Sequence, residues 1–145
     1  MCYPNSYLYI YLRVDYHSLH VEHMKKKVLV VEKNKDILEL IGLILRDEGY
    51  DIDLISSNDE VFERIKTFQP DIILLDIISP TAEGTILCED IKAAEDTARI
   101  PVVVLSTHPK AHIIKEICAD EVIPKPFDIS FLVSIIEEHL SSACP

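Results

Sequence analysis

Between residues 26 and 140 the chain alternates short, wholly apolar runs with longer stretches in which apolar residues recur every three or four positions. Val28-Leu29-Val30-Val31 has no polar break, as expected of a strand covered on both faces. Over residues 36–48, Ile37, Leu40, Ile41, Ile44 and Leu45 repeat at helical spacing, and Gly49 stands at the stop position. Residues 50–55 alternate instead. Tyr50, Ile52 and Leu54 fall on one side and Asp51 and Asp53 on the other, the pattern of a half-exposed edge strand. Ser57 is placed to cap the next helix, with Glu60 completing a capping box and Val61, Phe62 and Ile65 forming the core face.

Pro70-Asp71 punctuates the chain ahead of a second apolar run, Ile72-Ile73-Leu74-Leu75. A helix is predicted over 83–93, a third buried strand over 101–105, and a short helix near 111–118. A brief strand over 121–123 leads to a last helix over 129–140, with Leu132, Ile135 and Ile136 pointing inward. Strand and helix thus alternate five times, which implies an α/β fold with a parallel sheet, helices on both faces and right-handed crossovers. The edge character of the second and fifth strands fits a flavodoxin-like, doubly wound five-stranded sheet in the order 2-1-3-4-5.

Composition narrows the function classes. A chain of 145 residues has room for one domain, expected over 25–141, with a short tail at 142–145. Residues 1–24 are rich in Tyr and His and lack an amphipathic pattern, so they are expected to form a disordered N-terminal extension. Met24 before Lys25-Lys26-Lys27 reads as a natural start. His17, His20 and His23 share a three-residue spacing, but with no fold around them they make a poor metal site. The net charge of −11 opposes binding to nucleic acid or to an anionic membrane, and is ordinarily a solubilising surface. No apolar run reaches membrane-spanning length, and the expected location is the cytoplasm. Cys2, Cys88, Cys118 and Cys144 are scattered, form no CxxC pair and are expected as thiols rather than disulfides.

In an open α/β sheet, chemistry gathers at the carboxyl ends of the strands. Those ends hold Glu32-Lys33, Asp76, Ser106-Thr107 and Lys125: carboxylates, hydroxyls and ammonium groups on one edge. Any one is unremarkable, because strand ends are often polar; their combination is specific. The segments Val28-Leu29-Val30-Val31-Glu32 and Pro70-Asp71-Ile72-Ile73-Leu74-Leu75-Asp76, with Pro80, Gly84 and Lys125-Pro126-Phe127, resemble the receiver domain of two-component response regulators.

That resemblance implies a phosphorylatable signalling module rather than an enzyme. Asp76 matches the phosphoacceptor, which takes a phosphoryl group from a sensor histidine kinase or a histidine phosphotransfer protein. Lys125 matches the lysine that contacts the acyl phosphate, Ser106 the switch hydroxyl, and the Lys125-Pro126 bond a cis peptide. Glu32, Asp76 and the backbone carbonyl of Ile78 match the positions that hold Mg²⁺. Output is expected by contact with a downstream protein through the fourth helix, fifth strand and fifth helix, as a monomer or weak homodimer, since residues 141–145 are too few for a DNA-binding module.

Two positions depart from the family pattern. Lys33 stands where a second acidic residue usually ligates the metal, and an ammonium has no lone pair to give. Lys33 is expected either to pair with Asp76, imitating the cation, or to swing into solvent and leave a weakened site. Val122 stands where an aromatic ring often rotates with the switch hydroxyl. Both favour the alternative reading, a degenerate pseudo-receiver that binds partners independently of phosphorylation. A flavin protein would want a Ser/Thr/Gly-rich phosphate loop in place of Glu32-Lys33-Asn34-Lys35, and an aspartyl phosphohydrolase a second Asp in place of Ile78.

Overall fold

The computed structural model describes residues 25–142. The expected N-terminal extension with its histidines, and residues 143–145 of the expected tail, lie outside the described residues. Five parallel strands, β1 (Lys27–Val31), β2 (Asp51–Ile55), β3 (Ile72–Asp76), β4 (Val102–Ser106) and β5 (Glu121–Pro124), form one sheet in the order β2-β1-β3-β4-β5. The helices are α1 (Lys35–Asp47), α2 (Val61–Phe68), α3 (Ala82–Ala93), the short α4 (Ile114–Ile117) and α5 (Ile129–Ser142). The doubly wound, flavodoxin-like architecture is the one that the alternating pattern predicts.

The unbroken apolar runs owe their composition to burial on both faces. Val28 and Val30 of β1, with Ile72 and Leu74 of β3, pack under α1 and α5 against Leu38, Ile41, Leu45, Leu132 and Ile136. Their neighbours Leu29, Val31, Ile73 and Leu75 pack on the other face against Val61, Ile65, Cys88, Ile91 and Ile114. Register follows, because a one-residue slip would exchange the two faces.

The ends of α1 show how local sequence sets the elements. Asn34 caps its start, the side-chain oxygen accepting from the N–H groups of Asp36 and Ile37 at 3.0 and 3.2 Å. Gly49 ends it at φ +94°, a conformation that costs a residue with Cβ. Around α2 the pattern is less faithful. Ser57 accepts from Asp59 N–H and caps a 3₁₀ turn, Asn58–Glu60, so α2 itself begins at Val61. Phe62, expected in the core, is 42% exposed, because that turn rotates the helix so that Val61 and Ile65 face inward. The short helix near 111–118 is a 3₁₀ turn, Ala111–Ile113, followed by the single turn of α4.

The cysteine expectation is also corrected. Cys88 on α3 and Cys118, which caps α4, are joined as a disulfide. Parallel β3-β4 pairing and the packing of α3 beside α4 bring together residues that sequence spacing keeps 30 positions apart.

Candidate functional site

Parallel pairing brings the carboxyl ends of β1, β3, β4 and β5 to one edge, with Val31 opposite Leu75, Asp76 opposite Leu105 and Ser106 opposite Pro124. Glu32 follows β1, and its N–H donates to the Ile55 carbonyl at 3.1 Å. Lys125 follows β5, its N–H donating to the Ser106 carbonyl at 2.8 Å, and the Lys125-Pro126 bond is cis. The Lys125 ammonium reaches back across the sheet edge. It donates to Asp76 Oδ1 at 2.9 Å and to Glu32 Oε1. Glu32 also accepts the N–H of Asn34 at 3.3 Å through its other oxygen.

One cation therefore serves two carboxylates away from bulk water: Glu32 is 2% exposed, and the side chains of Asp76 and Lys125 are each 12% exposed. Burial pushes the Glu32 carboxyl above its ordinary range, the bond from Lys125 opposes this, and the neighbouring Asp76 adds to the rise. Burial alone would pull the Lys125 ammonium down, but its bonds to Glu32 and Asp76 outweigh that and hold it above its ordinary range. Both directions have one origin, since a buried cluster with one cation for two carboxylates retains protons.

Ser106 is fully buried at the end of β4, and its hydroxyl oxygen accepts the N–H of His108 at 3.2 Å. His108 in turn accepts the N–H of Lys110 through Nδ1 at 3.1 Å, so it shapes the loop into α4. Val122 is half-buried against the core.

The loop after β3 is held close to α3 by absence of a side chain. A Cβ on Gly84 would lie 2.0 Å from the Ser79 carbonyl oxygen. Thr81 caps α3, accepting Gly84 N–H at 3.1 Å. Within this loop Ile77 is buried, while Ile78 turns its side chain outward and is 64% exposed.

Of the two expectations for Lys33, its side chain takes the solvent one: it is exposed, and the ion pairs of Asp76 and Glu32 are made by Lys125. Lys125, not Lys33, supplies the local positive charge. Asp36 is likewise exposed, at the start of α1. Among the described residues no group of three or more His, Cys, Asp or Glu side chains is arranged to hold a metal ion. Two carboxylates of suitably hard chemistry are present, which is one fewer than the motif usually offers. The double engagement of Lys125 was not foreseen in the sequence. Its signal is Glu32, a buried carboxylate at the same sheet edge that also needs a cationic partner.

A family model described as the response regulator receiver domain matches residues 28–137. The chain is 26% identical over 123 residues to the DNA-binding response regulator MtrA of Mycolicibacterium smegmatis, a match covering 83% of this chain and 53% of that protein. It thus spans about half the length of the curated relatives it matches. The signal receiver domain of a signal transduction histidine kinase from Syntrophus aciditrophicus superimposes with a TM-score of 0.71 at 28% identity, covering 81% of this chain and 91% of that one. The receiver domain of sensor histidine kinase PA1611 from Pseudomonas aeruginosa, whose active-site cleft coordinates magnesium, shares the fold with a TM-score of 0.70 at 23% identity, covering 80% and 98%.

Proposed function

This chain belongs to the response regulator receiver domain family, and on that premise we propose that Asp76 accepts a phosphoryl group from a phosphohistidine of a sensor kinase or phosphotransfer protein. The observation that carries the reading is the contact of Lys125 Nζ with Asp76 Oδ1 at 2.9 Å, beside buried Ser106. In the transfer, an Asp76 carboxylate oxygen bonds to phosphorus as the phosphorus–nitrogen bond breaks, and the histidine leaves with its electron pair. The group in flight spreads negative charge over its oxygens, so a preplaced cation stabilises it. Two of the three N–H donors of Lys125 are engaged by Glu32 and Asp76, which leaves the third for a phosphoryl oxygen. The Ser106 hydroxyl lies at the end of the adjoining strand and supplies a further donor.

Glu32, Asp76 and the Ile78 carbonyl are the oxygen donors that would hold Mg²⁺. Their chemistry fits a weak, exchangeable site, because both carboxylates are shared with Lys125 and Lys33 replaces the further acid. When bound, the ion would add positive charge beside the phosphoryl oxygens.

Asp76 chemistry is limited to self-phosphorylation and hydrolysis, so the protein is a switch rather than an enzyme acting on a separate substrate. Output passes from Ser106 through the His108 loop to the face made by α4, β5 and α5, where a downstream protein binds. The net charge of −11 argues for a protein partner rather than nucleic acid. Among the described residues no helix is long and apolar enough to cross a membrane, and we place the protein in the cytoplasm. The domain spans 25–141.

The second reading, a phosphorylation-independent interaction module, is favoured by one observation: Lys125 already engages both carboxylates of the pocket in this structure, while Lys33 stands in place of a further metal ligand. Incubation with a small acyl-phosphate donor, read by intact mass, separates the two. The phosphoacceptor reading requires a one-phosphoryl gain that Asp76→Asn removes; the alternative requires none.

A further inference from the structure

We propose that Cys88 and Cys118 are a dithiol modification site, closed to a disulfide by a low-molecular-weight disulfide of the glutathione class, that tethers α4 to α3. The proposal is independent of whether Asp76 is phosphorylated. The two Cα atoms are 5.8 Å apart, inside the roughly 4.4–6.8 Å range that a bridge demands. Cys88 is fully buried among Ile91, Val104 and Ile114. Cys118 is half-buried at the surface end of α4.

That asymmetry fixes the order of exchange. The Cys118 thiol loses its proton, and its thiolate attacks one sulfur of the external disulfide. A protein–glutathione mixed disulfide forms and one glutathione thiolate leaves. The Cys88 thiol, deprotonated in turn, attacks the Cys118 sulfur and expels the second glutathione. Two protein thiols are oxidised, one external disulfide is reduced to two thiols, and the two protons pass to the leaving thiolates. In a reducing compartment the same steps run backwards.

What the bond would restrain is specific. The loop it closes contains β4, Ser106, His108 and α4. The element at its far end is weakly held otherwise: a 3₁₀ turn and one α-helical turn, anchored by buried Ala111, Ile114 and Ala119. A covalent link at Cys118 fixes that element relative to α3, so oxidation state sets how freely the proposed output face moves. The site couples thiol redox state to the segment next to the switch hydroxyl.

The test uses the full chain with Cys2→Ser and Cys144→Ser, so that only the pair remains. Samples equilibrated with excess glutathione disulfide or with excess dithiothreitol are divided, one part alkylated in denaturant so that buried Cys88 is reached and then weighed intact, the other followed unalkylated by hydrogen exchange. Expected are loss of both alkylation sites on oxidation, a Cys88–Cys118-linked peptide reversed by dithiothreitol, and a rise in Tm of about 10 °C. Amide exchange over 111–118 should slow about tenfold on oxidation, an effect absent in Cys118→Ser, whose half-buried site tolerates the change, and in Cys88→Ala. Two alkylatable thiols persisting under glutathione disulfide would overturn the site. A bond that forms without slowing exchange over 111–118 would overturn the tether.

Discussion

Lys125 and Asp76 are 49 residues apart in sequence, yet the ammonium of one donates to the carboxylate of the other at 2.9 Å while also holding Glu32. The chain itself thus supplies one positive charge to the two carboxylates of the pocket. Removing that cation leaves two adjacent carboxylates with little access to water. Lys125→Met should lower stability by about 3 kcal/mol, read as a fall in the urea midpoint at neutral pH. The same variant in an Asp76→Asn background should lose less, because one carboxylate is already gone. Equal losses in both backgrounds would mean that Lys125 stabilises the fold without coupling to Asp76.

The pH dependence carries the sign of the same cluster. Lys125 titrates above its ordinary value of 10.5 in the folded protein, so its contribution is complete below that pH and is lost as pH rises through the folded value. Glu32 also titrates above its ordinary value, 4.5. For an acid this means that the folded state binds the proton more tightly, so Glu32 favours folding at low pH and its benefit fades as pH climbs above 4.5. Urea midpoints of the parent and Glu32→Gln between about pH 4 and 7 should show a shallower decline in the variant.

The approach of the β3–α3 loop to α3 depends on Gly84. A methyl group there would meet the Ser79 carbonyl oxygen at 2.0 Å, and a backbone atom has no rotamer by which to yield. Gly84→Ala should cost about 2 kcal/mol in denaturant unfolding and shift the amide resonances of Ile77, Ile78 and Ser79. A variant with parent-like stability and spectra would show that the loop relaxes freely.

On the proposed Mg²⁺ site, Lys33 would act through charge, since its side chain is exposed and the ion pair of Asp76 is made by Lys125. Lys33→Asp removes a nearby cation and adds an oxygen ligand, so Mg²⁺ affinity should rise at least about tenfold. A titration of amide shifts around Asp76 checks this, and unchanged affinity would place the metal elsewhere or nowhere.

The strands were readable because burial on both faces demands unbroken apolar runs, and β1, β3 and β4 supply them. The candidate edge is legible because parallel topology sends the carboxyl end of every strand to one side, which places Glu32, Asp76, Ser106 and Lys125 together. What pattern could not supply was orientation. Phe62 looks like core by spacing, but the 3₁₀ turn before α2 turns it outward. Lys33 offered two destinations of similar electrostatic merit, and the reach of Lys125 across the sheet decided between them. The Cys88–Cys118 approach depends on how two crossovers pack, information that resides in no local motif.

Phosphoryl uptake at Asp76 is the most direct test of the proposed function. Intact mass after incubation with an acyl-phosphate donor, with and without Mg²⁺, should show a single-phosphoryl gain in the parent chain and none in Asp76→Asn. Lys125→Met should show a strongly reduced gain. No gain in the parent under either condition, with gain appearing in Lys33→Asp, would contradict the phosphoacceptor reading and identify the chain as an interaction module disarmed at Lys33.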